Sequence, residues 1–118
     1  MIGQNNDILR SGKRDKLEIT AAIVAVALKP STSTRIVQHT KTNNSTIKDY
    51  LKFMIGKRLL MKQVIPQKGR KTRFFEATKK GVTFLKTYCD ILKLLYGENF
   101  LNNTNDLAVA CLQLSEEP

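Results

Sequence analysis

The sequence has few of the residues that build metal centres and catalytic sites. It contains no tryptophan, one histidine and two cysteines in 118 residues. A structural zinc site needs about four Cys or His ligands, and no cysteine or carboxylate cluster accompanies His39. We therefore expect no metal ion and no cofactor. We expect His39 to be a surface or turn residue, with a phosphate contact as the alternative.

The two cysteines, Cys89 and Cys111, match neither a zinc-binding nor a redox-active spacing. We expect both to be free, partly buried thiols in a reducing compartment. Glycine-rich phosphate-binding loops are absent, because Gly69 and Gly81 stand alone. No serine or cysteine has a histidine at a spacing that favours nucleophilic catalysis. The sequence thus predicts a protein that is not an enzyme.

A long apolar run is also missing. The longest run, residues 21–28, is far shorter than the roughly 20 residues that a membrane span requires. The N-terminus is polar where a secretory signal would be apolar. Hydrophobic residues make up 42% of the chain, which is enough for the packed core of one domain. We expect a cytoplasmic protein.

Acidic residues are scarce where basic residues are abundant. All 20 lysines and arginines lie between Arg10 and Lys93, whereas the charged residues after Gly97 are all acidic. A body this basic indicates a polyanionic partner, most often nucleic acid. A highly soluble surface without a partner is the alternative.

The order of helices and strands follows from periodicity and from cap residues. A broad apolar face predicts a first helix over residues 13–28, which ends before Pro30. Several N-cap candidates at 31–34 precede a short second helix. A third helix is expected over residues 44–58, with Asn43 as its N-cap.

The period then changes from helical to extended. Residues 60–65 and 72–77 predict two strands, and Gly69 between them predicts a hairpin turn. A last helix follows from about 78 to 96, with Thr78 as its candidate N-cap. This order predicts a winged helix-turn-helix, mainly α with a small β-hairpin. We expect residues 1–12 to form a flexible arm and residues 98–118 to form an acidic tail, with a short helix as one option for it.

The third helix has the pattern of a DNA-recognition helix, because its outer face is small, polar and cationic while its inner face is apolar. Lys48 and Lys52 add attraction to phosphates. Asp49 can accept from a cytosine amine or pair with a lysine, and we favour the lysine pairing. The predicted DNA contacts of this helix are Asn44, Ser45, Thr46, Lys48, Asp49 and Lys52, and the predicted contacts to the DNA backbone from the preceding helix and turn are Thr34, Arg35, Lys41 and Thr42.

The hairpin carries the second cluster of positive charge. No acidic residue lies near the tip of the hairpin before Glu76. The cations at the tip therefore repel one another unless a polyanion neutralises them. Exposed lysines also prevent edge-to-edge pairing of strands, but that role needs fewer cations. The predicted DNA contacts of this wing are Lys68, Arg70, Lys71 and Arg73.

The last helix has a heptad-like apolar seam with a second apolar flank, which predicts a homodimer. The alternative is that these side chains all pack within their own domain. The predicted interface residues are Phe84, Leu85, Tyr88, Ile91, Leu92 and Leu95.

Residues 14–96 also resemble a family of small archaeal winged-helix DNA-binding proteins that dimerise through a long C-terminal helix. The resemblance implies a chromatin or transcriptional role and an antiparallel coiled-coil dimer. Two features depart from the family pattern: the polar run at 42–44, where an apolar residue is usual, and the acidic tail. The matching segments are RDKLEI (14–19), TRI (34–36), YLKFM (50–54), LL (59–60), FEATKKG (75–81) and FL (84–85).

We therefore predict a dimeric protein that binds double-stranded DNA, as a transcriptional regulator or as a nucleoid-associated protein. The alternative is a winged-helix protein-interaction module whose basic face binds an acidic protein. Binding of RNA or single strands is a weaker option. Phe74 and Phe75 are needed in the core, so few aromatic side chains remain to stack on bases.

Overall fold

The computed structural model describes residues 16–97 and 110–111. The predicted arm at 1–12 and most of the predicted tail at 98–118 lie outside these residues. The fold class is confirmed as α+β, with helices around one antiparallel hairpin. The elements are α1 (Lys16–Val26), α2 (Ser33–Thr40), α3 (Asn44–Gly56), β1 (Leu60–Gln67), β2 (Arg70–Ala77) and α4 (Lys79–Tyr96).

Helix α1 is the central element of the core. Ala21, Ile23 and Val24 are fully buried, and the helix packs against both α2 and α4. After Glu18 the helix carries no charged residue, so its later turns can be enclosed without burying an ion. The other elements of the domain are arranged around this helix.

The helix-turn-helix is fixed by two side-chain caps. Thr32 accepts a hydrogen bond from the backbone N–H of Arg35 at 3.2 Å, and Asn43 accepts one from that of Thr46 at 2.8 Å. Each cap satisfies a backbone donor that the first turn of a helix leaves unpaired. Between the two helices Lys41 takes a left-handed backbone with φ of 56°. The cap predicted at Asn43 is confirmed.

Helix α3 ends at Gly56, two residues before the predicted end at 58. Arg58 adopts a left-handed backbone with φ of 63°, which a right-handed helix cannot include. Buried side chains at Ile47, Leu51 and Met54 hold the inner face of α3 against the core.

The hairpin is longer and its turn tighter than predicted. The strands pair from Leu60 opposite Ala77 to Gln67 opposite Arg70, so the expected six-residue connection is a two-residue turn. Both turn residues, Lys68 and Gly69, have positive φ, of 49° and 78°. This combination matches the right-handed twist of the two strands.

Pro66 does not interrupt β1, because of its register. The Gln67–Arg70 pair next to a two-residue turn exchanges hydrogen bonds, so the following pair, Pro66 with Lys71, lies at a non-hydrogen-bonded position. The ring nitrogen of Pro66 therefore points away from β2, where no donor is needed.

The base of the hairpin is anchored to the body through β2. Ser31 and Phe75 exchange two backbone hydrogen bonds, of 3.0 and 2.8 Å, and the N–H of Ala77 donates to the carbonyl of Ala27 at 2.8 Å. Phe75 itself is buried in the core. The wing thus starts from a fixed position beside the C-terminal end of α1.

The expectation of two free thiols was wrong. Cys89 on α4 and Cys111 form a disulfide, with the two Cα atoms 5.7 Å apart. Ala110 and Cys111 are helical and are buried in the same core as α4. Sequence spacing did not reveal the pair, because its 22-residue separation closes only when residues 110–111 dock on α4.

The structure also corrects one residue of the predicted dimer seam. Leu85 is fully buried within its own domain, so it belongs to the core and not to an exposed surface. None of the helices among the described residues has the length and apolar character that crossing a membrane requires.

Candidate nucleic-acid interface

The outer face of α3 is polar and cationic over most of its length. Of the predicted contact residues on this helix, all are exposed except Thr46, which is half-buried. The buried stripe on the opposite side fixes the orientation of this face relative to the domain. The exposed side chains are Asn44, Ser45, Lys48, Asp49 and Lys52.

Asp49 does not form the lysine pair that we favoured. It is exposed and makes no ion pair with any residue in 16–97 or 110–111. An isolated surface carboxylate of this kind can accept hydrogen bonds from a ligand.

The first turn of α2 and the turn that precedes α3 present further polar groups. Thr34, Arg35 and Lys41 are exposed. Thr42 is half-buried, and its hydroxyl lies 2.9 Å from that of Thr40. The hydroxyl of Thr40 in turn donates to the carbonyl of Ile36 at 2.6 Å. The hydroxyl of Thr42 is therefore held by a local hydrogen bond within the domain.

All four predicted wing cations are exposed. Because side chains alternate along a strand, Lys71 and Arg73 lie on one face of the hairpin and Arg70 on the other. Lys68 occupies the turn itself. The cations thus surround the tip instead of lining one side of it.

A further basic group was missed by the sequence analysis. Lys57 and Arg58 follow α3, and Lys79 and Lys80 begin α4; we call these four residues the junction cluster. The ammonium group of Lys80 donates to the carbonyl of Lys57 at 2.9 Å, and the hydroxyl of Thr78 donates to the carbonyl of Arg58 at 2.5 Å. The two halves are about 20 positions apart in the sequence, so only the fold brings them together.

Gly81 permits this close approach of the start of α4 to the segment that follows α3. A Cβ atom at Gly81 would overlap the backbone oxygen of Leu59, so only glycine fits without a shift of the backbone. The signal in the sequence was a lone glycine in the first turn of a predicted helix.

One exposed aromatic side chain borders the face of α3. Phe53 is 54% exposed, and the ammonium group of Lys57 lies 5.9 Å from the centre of its ring. This is within the range of a cation–π contact. Sequence reasoning gave Phe53 no role beyond its place in the family resemblance.

The last two turns of α4 expose a compact apolar surface. Its most exposed members are Leu94 at 86% and Leu95 at 68%, flanked by Ile91 and Tyr96. Of the predicted interface residues, Phe84, Tyr88 and Leu92 are half-buried. The fold therefore shifts the exposed part of the predicted seam toward the C-terminal end of α4.

No group of three or more metal-ligating side chains occurs within the described ranges.

Comparison with known proteins adds a family match. Residues 13–96 match the model of a family described as winged helix-turn-helix. Among curated proteins, none matches the sequence significantly.

Several solved structures share the fold at low sequence identity. A mutant of Lactococcus lactis ZitR in complex with DNA has a TM-score of 0.60 and 16% identity, and the match covers 97% of this chain and 88% of that one. The S. aureus MepR–DNA complex has a TM-score of 0.58 and 14% identity, with 95% and 86% covered. The match to a MepR mutant from a multidrug-resistant S. aureus clinical isolate covers 77% of this chain and 66% of that chain, at 14% identity and a TM-score of 0.56.

Proposed function

Because the chain belongs to the winged helix-turn-helix family, we propose that it binds double-stranded DNA and acts as a transcriptional regulator or a nucleoid-associated protein. The observation that carries the proposal is that one small domain exposes two cationic elements, α3 and the wing. Helix α3 presents a polar, cationic face, and the cationic wing leaves the domain four residues after α3 ends.

The geometry of α3 is suited to the major groove. The groove is about 12 Å wide and admits one helix, and the side chains that would face it are small or flexible. The N-terminal turn of α3, with Asn44 and Ser45 exposed, can donate to phosphates or to base edges. The wing then reaches the flanking backbone with Arg70 and Lys71.

The solved structures of similar fold support this proposal, because ZitR and MepR are both described in complexes with DNA. The charge of the chain supports it independently. The wing cations form no ion pair with any described residue, so a polyanion would relieve their mutual repulsion.

The test is a titration of labelled duplex DNA with the full chain at increasing salt, read by fluorescence anisotropy. We expect binding that weakens steeply, because each neutralised phosphate contributes roughly 0.9 to the slope of log K against log salt. Lys48→Gln with Lys52→Gln, and Arg70→Gln with Lys71→Gln, are each expected to reduce the slope by roughly 1.8. Absence of binding at low ionic strength would refute the proposal.

A second copy of the chain is the proposed partner of the apolar end of α4. Leu94 and Leu95 are too exposed to contribute to the fold of one protomer, and a helix end of this kind is stabilised by pairing with another helix. The proposed dimer surface comprises Ile91, Leu92, Leu94, Leu95 and Tyr96, with Phe84 and Tyr88 at its edge.

Sedimentation equilibrium tests this dimer. The chain is expected to sediment as a dimer at micromolar concentration, and Leu94→Glu is expected to shift it to a monomer. Gln38→Glu is the matched control, because it adds one negative charge at an exposed position on α2, away from the apolar surface of α4. A wild-type chain that sediments as a monomer contradicts the dimer and leaves DNA binding open.

A further inference from the structure

We propose that the junction cluster is an additional phosphate-binding surface, which contacts the backbone of the same duplex that α3 enters. The proposal rests on the proposed function and assigns a role to four cations outside the predicted site. Its ligand is the DNA phosphodiester backbone, and its recognition is electrostatic.

The backbone of the cluster is held by contacts between residues 57–59, which follow α3, and the start of α4. The N–H of Thr78 donates to the carbonyl of Leu59 at 3.1 Å, and Thr78 also caps α4 by accepting from the N–H of Gly81 at 3.1 Å. Lys80 satisfies the carbonyl of Lys57. The backbone that carries the four cations is therefore fixed within one small region, and the ammonium group of Lys80 is held there by its hydrogen bond.

The cluster has no acidic neighbour to neutralise it. All four side chains are exposed, and none forms an ion pair with a described residue. The nearest acid along the chain is Glu76, whose carboxylate accepts a hydrogen bond from the side-chain amide of Gln63 at 3.1 Å. The four positive charges of the junction cluster therefore repel one another unless a polyanion is bound.

The length of α3 brings the cluster to the backbone of a bound duplex. Thirteen residues of helix span about 20 Å, which exceeds the width of about 12 Å of the major groove. When the first turn of α3 is in the groove, its last turn lies at the edge, where a phosphate strand runs. Lys48 and Lys52 on α3 and the four residues of the junction cluster are all exposed cations of one small domain, and this excess of positive charge favours DNA over an acidic protein as the occupant.

The test compares the salt dependence of DNA binding between matched double variants of the full chain. Lys57→Gln with Lys79→Gln removes two junction charges. Lys80 is left unchanged because it donates to the carbonyl at the end of α3, and Arg58 is left unchanged because its backbone is left-handed. Lys29→Gln with Lys86→Gln is the control, because it removes two charges at exposed positions outside the junction.

On a duplex of about three helical turns, the junction variant is expected to reduce the salt slope by roughly 1.8. The control is expected to change it by less than half as much. Lys57→Arg with Lys79→Arg is expected to keep the wild-type slope, which shows that charge is the cause. Equal unfolding midpoints by circular dichroism establish that the variants fold.

A junction variant whose slope equals that of the control overturns this inference. If the wild-type chain binds DNA with a steep salt dependence in the same experiment, the proposed function stands while the junction contact falls. If the wild-type chain binds no DNA at low salt, the proposed function itself has failed.

Discussion

Reduction of the Cys89–Cys111 disulfide is expected to lower the free energy of unfolding by about 3 kcal/mol. The bond joins residues 22 positions apart. In the chain-entropy model, a cross-link that closes a loop of this length removes roughly 11 cal/mol/K of entropy from the unfolded chain, which is about 3.4 kcal/mol at 25 °C. The reduced protein keeps the same folded contacts but unfolds to a less restricted chain.

Urea denaturation followed by circular dichroism measures this difference. With a dependence on urea of about 1.5 kcal/mol/M, the midpoint is expected to fall by about 2 M when a reductant is added. Protein concentration must be equal in the two titrations, since the stability of a dimer depends on it.

The double variant Cys89→Ser with Cys111→Ser is the control, and its midpoint is expected to be the same with and without reductant. Two results would refute the reasoning. One is a wild-type midpoint that does not change on reduction, and the other is an equal shift in the double variant.

Substitutions at three further positions test the local geometry of the fold by chemical denaturation. Gly81→Ala is expected to destabilise the domain by about 2 kcal/mol or more, because the new Cβ would overlap the carbonyl of Leu59; an unchanged midpoint contradicts this. Gly56→Ala meets nothing within 4 Å and is expected to stabilise α3 by about 0.5–1 kcal/mol, so a loss of stability would count against the stated end of α3. Asn43→Ala removes the cap on the N–H of Thr46 and is expected to cost about 1 kcal/mol, whereas Asn43→Asp should retain most of that stability.

The helices and their caps could be predicted because their signals are local. Asn43 and Thr78 both cap the helices expected of them, since a cap depends on residues within one turn. The end of α3 could not be predicted with the same accuracy as its N-cap. The left-handed backbone at Arg58 occurs at a residue whose type does not favour it.

The hairpin shows how a local signal can mislead. The first strand was expected to end at residue 65, but β1 continues through Pro66, although proline cannot donate a hydrogen bond to a partner strand. Whether that donor is needed depends on register, and at Pro66 the missing N–H would have pointed away from β2. Register is set by the two-residue turn at Lys68 and Gly69, so the strand could not be completed without the turn geometry.

The tertiary features of the candidate site could not be obtained from the pattern of residues. The junction cluster needs the contact between Gly81 and Leu59, and the disulfide needs the docking of Cys111 on α4. The apolar pattern of α4 likewise does not separate Leu85, which is buried, from Leu95, which is exposed.

The anchoring of the hairpin at its base has a consequence for the cost of binding. Residues 64–71 are all exposed, so the outer half of the wing is held by its own ladder of hydrogen bonds, whereas the inner half shares the Ser31–Phe75 bridge with the body. The outer half can therefore open at a much lower free energy than the domain as a whole. Its amide hydrogens should exchange with solvent through that local opening. Binding that immobilises the tip must therefore offset the loss of its conformational entropy. Helix α3 is already ordered before binding, so it adds no such cost.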